Sequence, residues 1–268
     1  MMLIVYVVLF HCCCCCSSVL KFLHQGEDSL WFVLNRDTNE TTLITGKERF
    51  VNNHFWNCYE DAQGKIVVET VAATEDYLDT YFARNLAKDH PEWDKIFHPA
   101  LRCHLSFNTS SIECAPLLLS STPGTDKAES LLFDYPTFNP HYKKQSYQYF
   151  YAISTTSNTS AWFDKLIKVD VSTDTIVKSW SSPNVYVTEF DFVPTANEKD
   201  FVNGVAPGAE DDGVLLSILY NVSNDSSMFA IFNASTIEPI GLYPMKHTVP
   251  FHAHGIVCKQ GVSCYTNP

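Results

Sequence analysis

Short runs of β-branched and aromatic residues recur along this chain, and residues that favour turns separate them. Turn-forming stretches include residues 61–64, 211–213 and 221–227, and in several parts of the chain a new run begins about every ten residues. Runs of this kind predict short β-strands, and many short strands in series predict a β-sandwich, a β-barrel or a β-propeller. The clearest predicted strands are 30–34, 65–71, 147–153, 166–171, 214–220 and 228–232.

Three segments share one plan, in which a strand, a polar turn that contains threonine and a second strand follow one another. They are residues 31–44, 166–180 and 228–240. A supersecondary unit that repeats along a chain is typical of propellers, whose blades are copies of one small sheet. The repeat therefore favours a propeller over a sandwich.

One stretch, residues 76–97, has helical periodicity. Its apolar residues recur at helical spacing until Pro91 interrupts the pattern. We expect this stretch to form a helical insertion outside the sheets. No linker rich in glycine, serine or proline divides residues 29–268, so we treat them as one unit that follows a distinct leader, residues 1–28.

The amino-acid composition limits the kinds of molecule that this chain can bind. The chain has 268 residues, and 46% of them are hydrophobic, which is enough apolar material for a sizeable core. Its formal net charge is −12, with 18 lysines and arginines against 30 aspartates and glutamates. No basic stripe is available to neutralise phosphates, so nucleic acid is excluded as a partner. The sequence also lacks a polybasic cluster that would bind an anionic membrane surface.

The apolar and cysteine-rich leader has three interpretations. An apolar run, residues 2–10, precedes five consecutive cysteines, Cys12 to Cys16. The run is too short to span a bilayer and resembles a signal peptide that lacks the positively charged start. The alternatives are palmitoylated cysteines near a membrane and a spurious segment joined to the reading frame. Six N-x-S/T sequons favour secretion: Asn39, Asn108, Asn158, Asn221, Asn224 and Asn233.

The cysteines outside the leader allow two disulfides. Cys103 with Cys114, and Cys258 with Cys264, are spaced so that each pair could close a hairpin in an oxidising compartment, and Cys58 is then left over. Reduced cysteines that behave as small apolar residues are the alternative. The sequence alone does not decide between them.

Three segments carry more specific motifs. Residues 53–61 read NHFWNCYED, residues 210–217 read EDDGVLLS and residues 249–255 read VPFHAHG. In this order they resemble the C-terminal half of the carotenoid cleavage oxygenase family, and the resemblance covers residues 29–268. The resemblance implies an all-β fold, namely the C-terminal blades of a seven-bladed β-propeller with one helical insertion. It also implies a ferrous iron (Fe2+) held by four histidines.

The resemblance assigns two of the four iron ligands to this chain. His54 matches the third ligand, in an H-x-x-N-x-[YF]-E segment, and His254 matches the fourth, which directly precedes a glycine. His252 competes with His254, because alternate residues of a strand share a face. The family's first two ligands lie upstream of the matched part. The EDDG segment is a family marker for which we expect a structural role, with Asp-Gly in a positive-φ hairpin turn.

A ligating imidazole needs an acceptor for its second N–H, which fixes the tautomer and aims the ring, and the family uses glutamates for this purpose. Glu189, in a segment that resembles E-P-x-F-V-P, is expected to orient His254, although Phe190 stands at the position of the proline. Asp134, in a segment that resembles F-E-[FY]-P, stands where the family's glutamate orients the third histidine. Because aspartate is one methylene shorter, it would reach His54 only through a shift or a water.

The implied function is iron(II)-dependent oxidative cleavage of a carotenoid or apocarotenoid double bond with O2, as part of a longer family domain. Two alternatives stay open: an isomerohydrolase that acts on retinyl esters, and a non-catalytic truncated propeller that binds an apolar ligand or a protein partner. The implied partners are a carotenoid or retinoid substrate and O2, with a peripheral membrane contact and the oligomeric state left open. The family implies a cytoplasmic or membrane-associated protein, whereas the leader and sequons point to secretion.

Overall fold

The computed structural model of the chain forms two compact units, residues 1–117 and 118–268. Within the described residues no helix is long and apolar enough to cross a membrane. The predicted helix 76–97 and the histidines at positions 11, 24, 90, 98 and 252 lie outside the described residues. The structure describes residues 3–6, 29–35, 38–47, 50–73, 99–107, 109–120, 128–129, 131–157, 162–195, 208–249, 254–255, 257–258 and 264–265.

The described part of the first unit contains one seven-stranded sheet, in the order β1-β2-β3-β7-β6-β5-β4. Neighbouring strands are antiparallel except for β3 and β7, which meet in parallel at a single residue pair. The strands are β1 (Leu3–Tyr6), β2 (Ser29–Asn35), β3 (Thr41–Gly46), β4 (Val51–Glu60), β5 (Ile66–Ala73), β6 (Leu101–Ser106) and β7 (Ser111–Pro116).

The second unit contains a six-stranded sheet, in the order β10-β11-β12-β13-β8-β9, and a five-stranded sheet in which β14 and β15 both pair with β16, followed by β17 and β18. A 3-10 helix covers Pro140–Tyr142. The strands of the six-stranded sheet are β8 (Leu119–Ser120), β9 (Ala128–Glu129), β10 (Phe133–Thr137), β11 (Tyr149–Ser154), β12 (Lys165–Asp170) and β13 (Thr175–Ser181). The remaining strands are β14 (Val185–Tyr186), β15 (Asp191–Pro194), β16 (Gly213–Asn221), β17 (Ser226–Asn233), β18 (Pro239–Pro244) and the pair β19 (Val257–Cys258) and β20 (Cys264–Tyr265).

Three antiparallel meanders of four strands each account for most of these sheets. They are β4 to β7, β10 to β13 and β15 to β18, and within each one consecutive strands pair directly. A four-stranded meander is the blade of a β-propeller. The prediction of an all-β propeller is therefore confirmed, and all six of the clearest predicted strands are present.

The predicted repeat is also confirmed, because its three segments form the hairpins β2–β3, β12–β13 and β17–β18. The turns at 35–40 and 233–238 have the same hydrogen bonds. The N–H of the first residue donates to the carbonyl of the sixth at 2.9 Å in both turns. The first asparagine's side chain accepts from the N–H of the fourth residue, at 3.3 and 2.9 Å. The turns at 170–175 and 221–226 likewise begin with Asp or Asn, and all four have a fifth residue with φ between 48° and 60°.

This turn chemistry accounts for several of the sequons. The side-chain oxygens of Asn221 and Asn233 each accept a backbone N–H from two residues further on, at 2.9 Å. The side chain of Asn224 accepts the hydroxyl of Ser226 at 2.6 Å. Asparagine and serine or threonine stabilise such turns through these local hydrogen bonds. The sequons at these positions therefore have a structural explanation that is independent of secretion.

Each unit has its own core. In the first unit, Trp31, Ile44, Val68 and Leu105 belong to a cluster on one face of the seven-stranded sheet. In the second unit the cluster joins the six-stranded sheet to the five-stranded sheet. There the ring of Phe232 on β17 packs edge-on against Trp180 of β13 and Phe190, with centroids 4.8 and 5.6 Å apart. A fully buried side chain of this size stabilises the fold by about 2 kcal/mol.

The first of the two possible disulfides is present. Cys103 on β6 lies directly opposite Cys114 on β7, and the two sulfurs are bonded. Cys258 lies opposite Cys264 in the β19–β20 pair, and a bond between them stays a prediction. Cys58 is not in a disulfide, and burial, together with the charge of Glu69, raises the pKa of its thiol to about 12. A neutral thiol of this kind is a poor metal ligand.

Candidate metal-binding site

The predicted site residues fall in both units. His54 lies in the first unit, on β4, whereas Asp134, Glu189 and His254 lie in the second. Within the described residues no cluster of three or more His, Cys, Asp or Glu side chains could hold a metal ion on its own.

His54 is half-buried on β4, in the hairpin that β4 forms with β5. The turn of this hairpin lies in the predicted turn-forming stretch 61–64, and Gly64 has a positive φ of 73°. The side chain of Asp61 closes the turn by accepting the N–H groups of Gln63 and Lys65, both at 2.9 Å. The hairpin fixes the register that places His54 opposite Val71 on β5.

Two irregularities in strand pairing flank His54. The register shifts between Asn52 and His54, and again between Phe55 and Asn57. Bulges bend a strand and change the direction of individual side chains, and they are common next to functional sites. The hydroxyl of Thr70 on β5 holds the bulged segment, because it donates to the carbonyl of His54 at 3.3 Å and contacts the side chain of Asn52.

A buried ion pair lies beside the bulge. Asn57, three residues after His54, is buried and faces Glu69 on β5. Glu69 is fully buried and accepts the Nε–H of Arg102 on β6 at 3.0 Å. The motif's asparagine therefore belongs to the supporting structure of β4 and β5, where its Oδ1 accepts the N–H of Cys58 at 3.0 Å.

His254 contacts the carboxylate that was predicted to orient it. Its Nδ1 lies 3.4 Å from Oε1 of Glu189, and the N–H of Gly255 donates to Oε2 of the same carboxylate at 3.0 Å. The imidazole itself is 64% exposed, whereas the carboxylate is only 8% exposed. With Nδ1 directed at an acceptor, Nε2 is the nitrogen that can bind a metal.

The backbone around Glu189 is fixed on both sides. The hydroxyl of Ser217 on β16 donates to the carbonyl of Glu189 at 2.9 Å, and the hydroxyl of Thr188 donates to the carbonyl of Ile218 at 2.7 Å. Phe190, which stands where the family has proline, is buried against Phe232. Burial of this ring gives the segment an anchor in place of the proline.

Asp191 is a site residue that the sequence analysis missed. A Cβ placed on Gly255 would lie 3.2 Å from its Oδ2, so the carboxylate approaches the backbone beside His254. Burial, together with the charge of Glu189, raises the pKa of Asp191 from 3.8 to about 6. The signal was available, because residues two apart in an extended segment point to the same face and Glu189 was already assigned to the site.

The Asp191→Asn substitution tests this pKa. The pKa of this carboxyl group is higher in the folded protein than in the unfolded chain, so between the two values the folded protein binds an extra proton. The free energy of unfolding therefore falls as the pH rises from about 4 to about 6. We expect the variant to be more stable than the unchanged chain above pH 6, and the difference to vanish below pH 4. Urea unfolding across this pH range measures it. A difference in stability that is the same at every pH would contradict the assignment.

The EDDG segment is structural, as expected, but not in the way that was predicted. Glu210 accepts the backbone N–H groups of Gln148 and Tyr149 at 2.7 to 2.8 Å. The prediction of a positive-φ turn is wrong for Gly213, which begins β16 after the connection from β15. Glycine is needed there because a Cβ would lie 2.6 Å from the carbonyl oxygen of Val193.

A buried lysine ties the same segment to the six-stranded sheet. Lys168 on β12 is 4% exposed and lies 2.6 Å from the carboxylate of Asp211. Its Nζ also donates to the carbonyl of Ser235 at 3.0 Å and lies 4.2 Å from the centroid of the Tyr149 ring. These contacts join β12, the EDDG segment and the turn between β17 and β18.

Comparison with known proteins places this geometry in a family. Residues 6–257 match the model of the RPE65 family, described as retinal pigment epithelial membrane protein. The mitochondrial carotenoid-cleaving dioxygenase of Mustela putorius furo is 25% identical over 254 residues, which cover 82% of this chain and 44% of that protein. The torulene dioxygenase of Fusarium fujikuroi is 27% identical over 53% of this chain and 26% of that protein. The chain thus spans less than half the length of these relatives.

The fold also matches solved structures. Cobalt-substituted apocarotenoid oxygenase of Synechocystis has a TM-score of 0.66 and 21% identity, over 91% of this chain and 45% of that one. A chimera of this oxygenase with RPE65 has a TM-score of 0.66 and 22% identity, over 85% of this chain and 43% of that one. Curated relatives carry the names of mitochondrial and chloroplastic proteins, which do not support secretion of this chain. The chain belongs to the carotenoid cleavage oxygenase family.

Proposed function

We propose that this chain is part of an iron(II)-dependent oxygenase that cleaves a double bond of a carotenoid or apocarotenoid with O2. The observation that carries the proposal is the contact between His254 and Glu189. It occurs in the segment that matches the family's fourth ligand, and the acceptor is the carboxylate that the motif predicts. A metal-binding histidine with its second nitrogen directed at a buried carboxylate is the usual arrangement in metalloenzymes.

The donor atoms fit ferrous iron. Neutral imidazoles suit iron, and a site built from them without a carboxylate ligand leaves the metal dicationic. In this proposal His54 and His254 supply two of the four imidazoles, Glu189 orients His254 and Asp134 orients His54. When bound, the iron would supply the activation of O2 at its open coordination positions.

The residues of this chain then position the metal's ligands. Glu189 accepts the Nδ1–H of His254, which keeps the Nε2 lone pair free for the metal. Its second oxygen accepts the N–H of Gly255, so the carboxylate fixes both the ring and the backbone that carries it. On the first unit, the Thr70 hydroxyl and the two register shifts fix the backbone of His54.

The proposal concerns the whole oxygenase domain. Two imidazoles bind iron weakly, because a complete ligand set supplies the affinity. The relatives that carry the names of dioxygenases are more than twice as long as the matched part. We therefore propose the activity for the native protein that contains this chain, with a carotenoid and O2 as its partners.

The test is an assay of the protein purified from its native source with a carotenoid and an apocarotenal under 18O2. We expect aldehyde or ketone products that carry 18O, and their loss in the His254→Ala variant. Release of retinol from a retinyl ester without consumption of O2 would instead show an isomerohydrolase. Tight binding of the polyene without turnover would show a non-catalytic binding protein. Either of these results would contradict oxidative cleavage.

A further inference from the structure

The ring of Tyr135 forms a second contact with His254, separate from Glu189. Its centroid lies 5.9 Å from the centroid of the imidazole, with an angle of 58° between the planes. Tyr135 is itself only 7% exposed and belongs to the core cluster of the second unit. It packs edge-on against Phe163, with centroids 6.4 Å apart. One side of the exposed imidazole thus rests on a ring that the core holds in place.

The backbone of Tyr135 has an unfavourable conformation that brings the ring to this position. Its φ is 50°, in the left-handed region that aromatic residues seldom adopt. The strand pairing is irregular at this point, because the register of β10 with β11 shifts between Asp134 and Thr137. His254 also has a positive φ, of 72°. Such conformations cost free energy and persist at functional sites because the surroundings hold them.

Asp134 stabilises this conformation of Tyr135. Its carboxylate is fully buried, and Oδ1 accepts the N–H of Tyr135 at 2.7 Å. A short aspartate side chain can reach a neighbouring backbone N–H in this way, which a longer glutamate does less readily. The residue that stands at the family's glutamate position therefore has an observed contact within its own unit.

We propose that Tyr135 is a positioning residue for His254, and that Asp134 acts on the same histidine through Tyr135. The inference rests on the proposed function, since it concerns the ligand at that site. Glu189 fixes the direction of the Nδ1–H. The Tyr135 ring limits rotation of the imidazole about the side chain's Cα–Cβ and Cβ–Cγ bonds. A contact through the face or edge of an aromatic ring needs no hydroxyl, so phenylalanine would serve equally well.

The direct test is the ring NMR signal of His254 in the full chain labelled with 13C-histidine. The His254→Gln variant identifies the signal by its loss. The ring current of Tyr135 changes the chemical shift of this signal. We expect Tyr135→Phe to leave the signal in place and Tyr135→Leu to move it towards the position of a free histidine. Asp134→Ala should move it in the same direction. Phe232→Leu is the matched control, because it removes a ring from the same core cluster that packs against Trp180 and Phe190, and it should leave the signal in place.

Iron affinity is the second measurement, made on the native protein with the same variants. Residues that orient a metal ligand typically contribute about tenfold or more to affinity, so Tyr135→Leu should weaken iron binding about tenfold and Tyr135→Phe should not. An unchanged His254 signal in Tyr135→Leu, or an equal change in Phe232→Leu, would overturn the proposal. So would a moved signal with unchanged iron affinity. A native protein without iron would refute the proposed function, whereas the NMR result would still report the contact.

Discussion

Replacing His254 by alanine should remove iron from the native protein, and replacing His54 should do the same. Each substitution deletes one imidazole from the proposed four-histidine site, and the remaining donors cannot complete the ligand set. We expect the iron content per polypeptide to fall by more than about tenfold, since even loss of an orienting contact costs that much affinity. Plasma mass spectrometry of the purified variants, beside the unchanged protein, measures this content.

His252→Ala is the matched control for the His254 variant, because the two histidines are two residues apart in the same motif. The control protein should keep its iron, since His254 is the histidine that directly precedes the glycine, as the family's fourth ligand does, and it contacts Glu189. Iron that is retained in His254→Ala and lost in His252→Ala would reassign the ligand to His252. Circular dichroism spectra of both variants show whether the sheets are intact.

Replacing Lys168 by alanine destabilises the second unit by about 3 kcal/mol. The lysine is buried, and its removal leaves the carboxylate of Asp211 without the ammonium that lies 2.6 Å away. Breaking a buried ion pair by removal of one partner is costly, because the remaining charge stays buried. The change also removes the contact with the Tyr149 ring and the hydrogen bond to Ser235. Urea unfolding at pH 7 measures the difference in free energy.

Lys178→Ala is the control, because Lys178 faces Lys168 across the β12–β13 pair and is exposed. Substitutions of exposed residues change stability by no more than about 0.5 kcal/mol. The comparison separates the loss of a buried ion pair from the loss of a lysine on this sheet. Equal effects of the two variants would refute the role given to Lys168.

The strands of this fold could be predicted because their signal is local. The run 214–220 is β-branched and apolar and lies between turn residues, and the structure extends it only to Gly213–Asn221. The repeated hairpins were also visible, since the same side chains that form the sequons and polar turns accept the turn's own N–H groups. The spacing of Cys103 and Cys114 suits a hairpin and so allowed the disulfide that the structure contains, but reduced cysteines were an equal alternative.

The features that could not be predicted from the sequence depend on contacts between residues distant in the chain. Tyr135 approaches His254 only after the five- and six-stranded sheets pack together, so no local pattern marks it. The same holds for Gly213, whose neighbour is the carbonyl of Val193. The pairing of Glu189 with His254 was anticipated only through resemblance to a family motif. The pairing of Asp134 with His54 stays a prediction.

The most direct test of the proposed iron-dependent function is the iron content of the native polypeptide that contains this chain, isolated with an antibody from its source. Plasma mass spectrometry gives the iron, and an immunoblot of the same sample, before and after glycosidase treatment, gives the mass of the polypeptide. We expect one iron per polypeptide in a protein heavier than the 30.3 kDa of this chain. A native protein of the mass of this chain that contains no iron would contradict it.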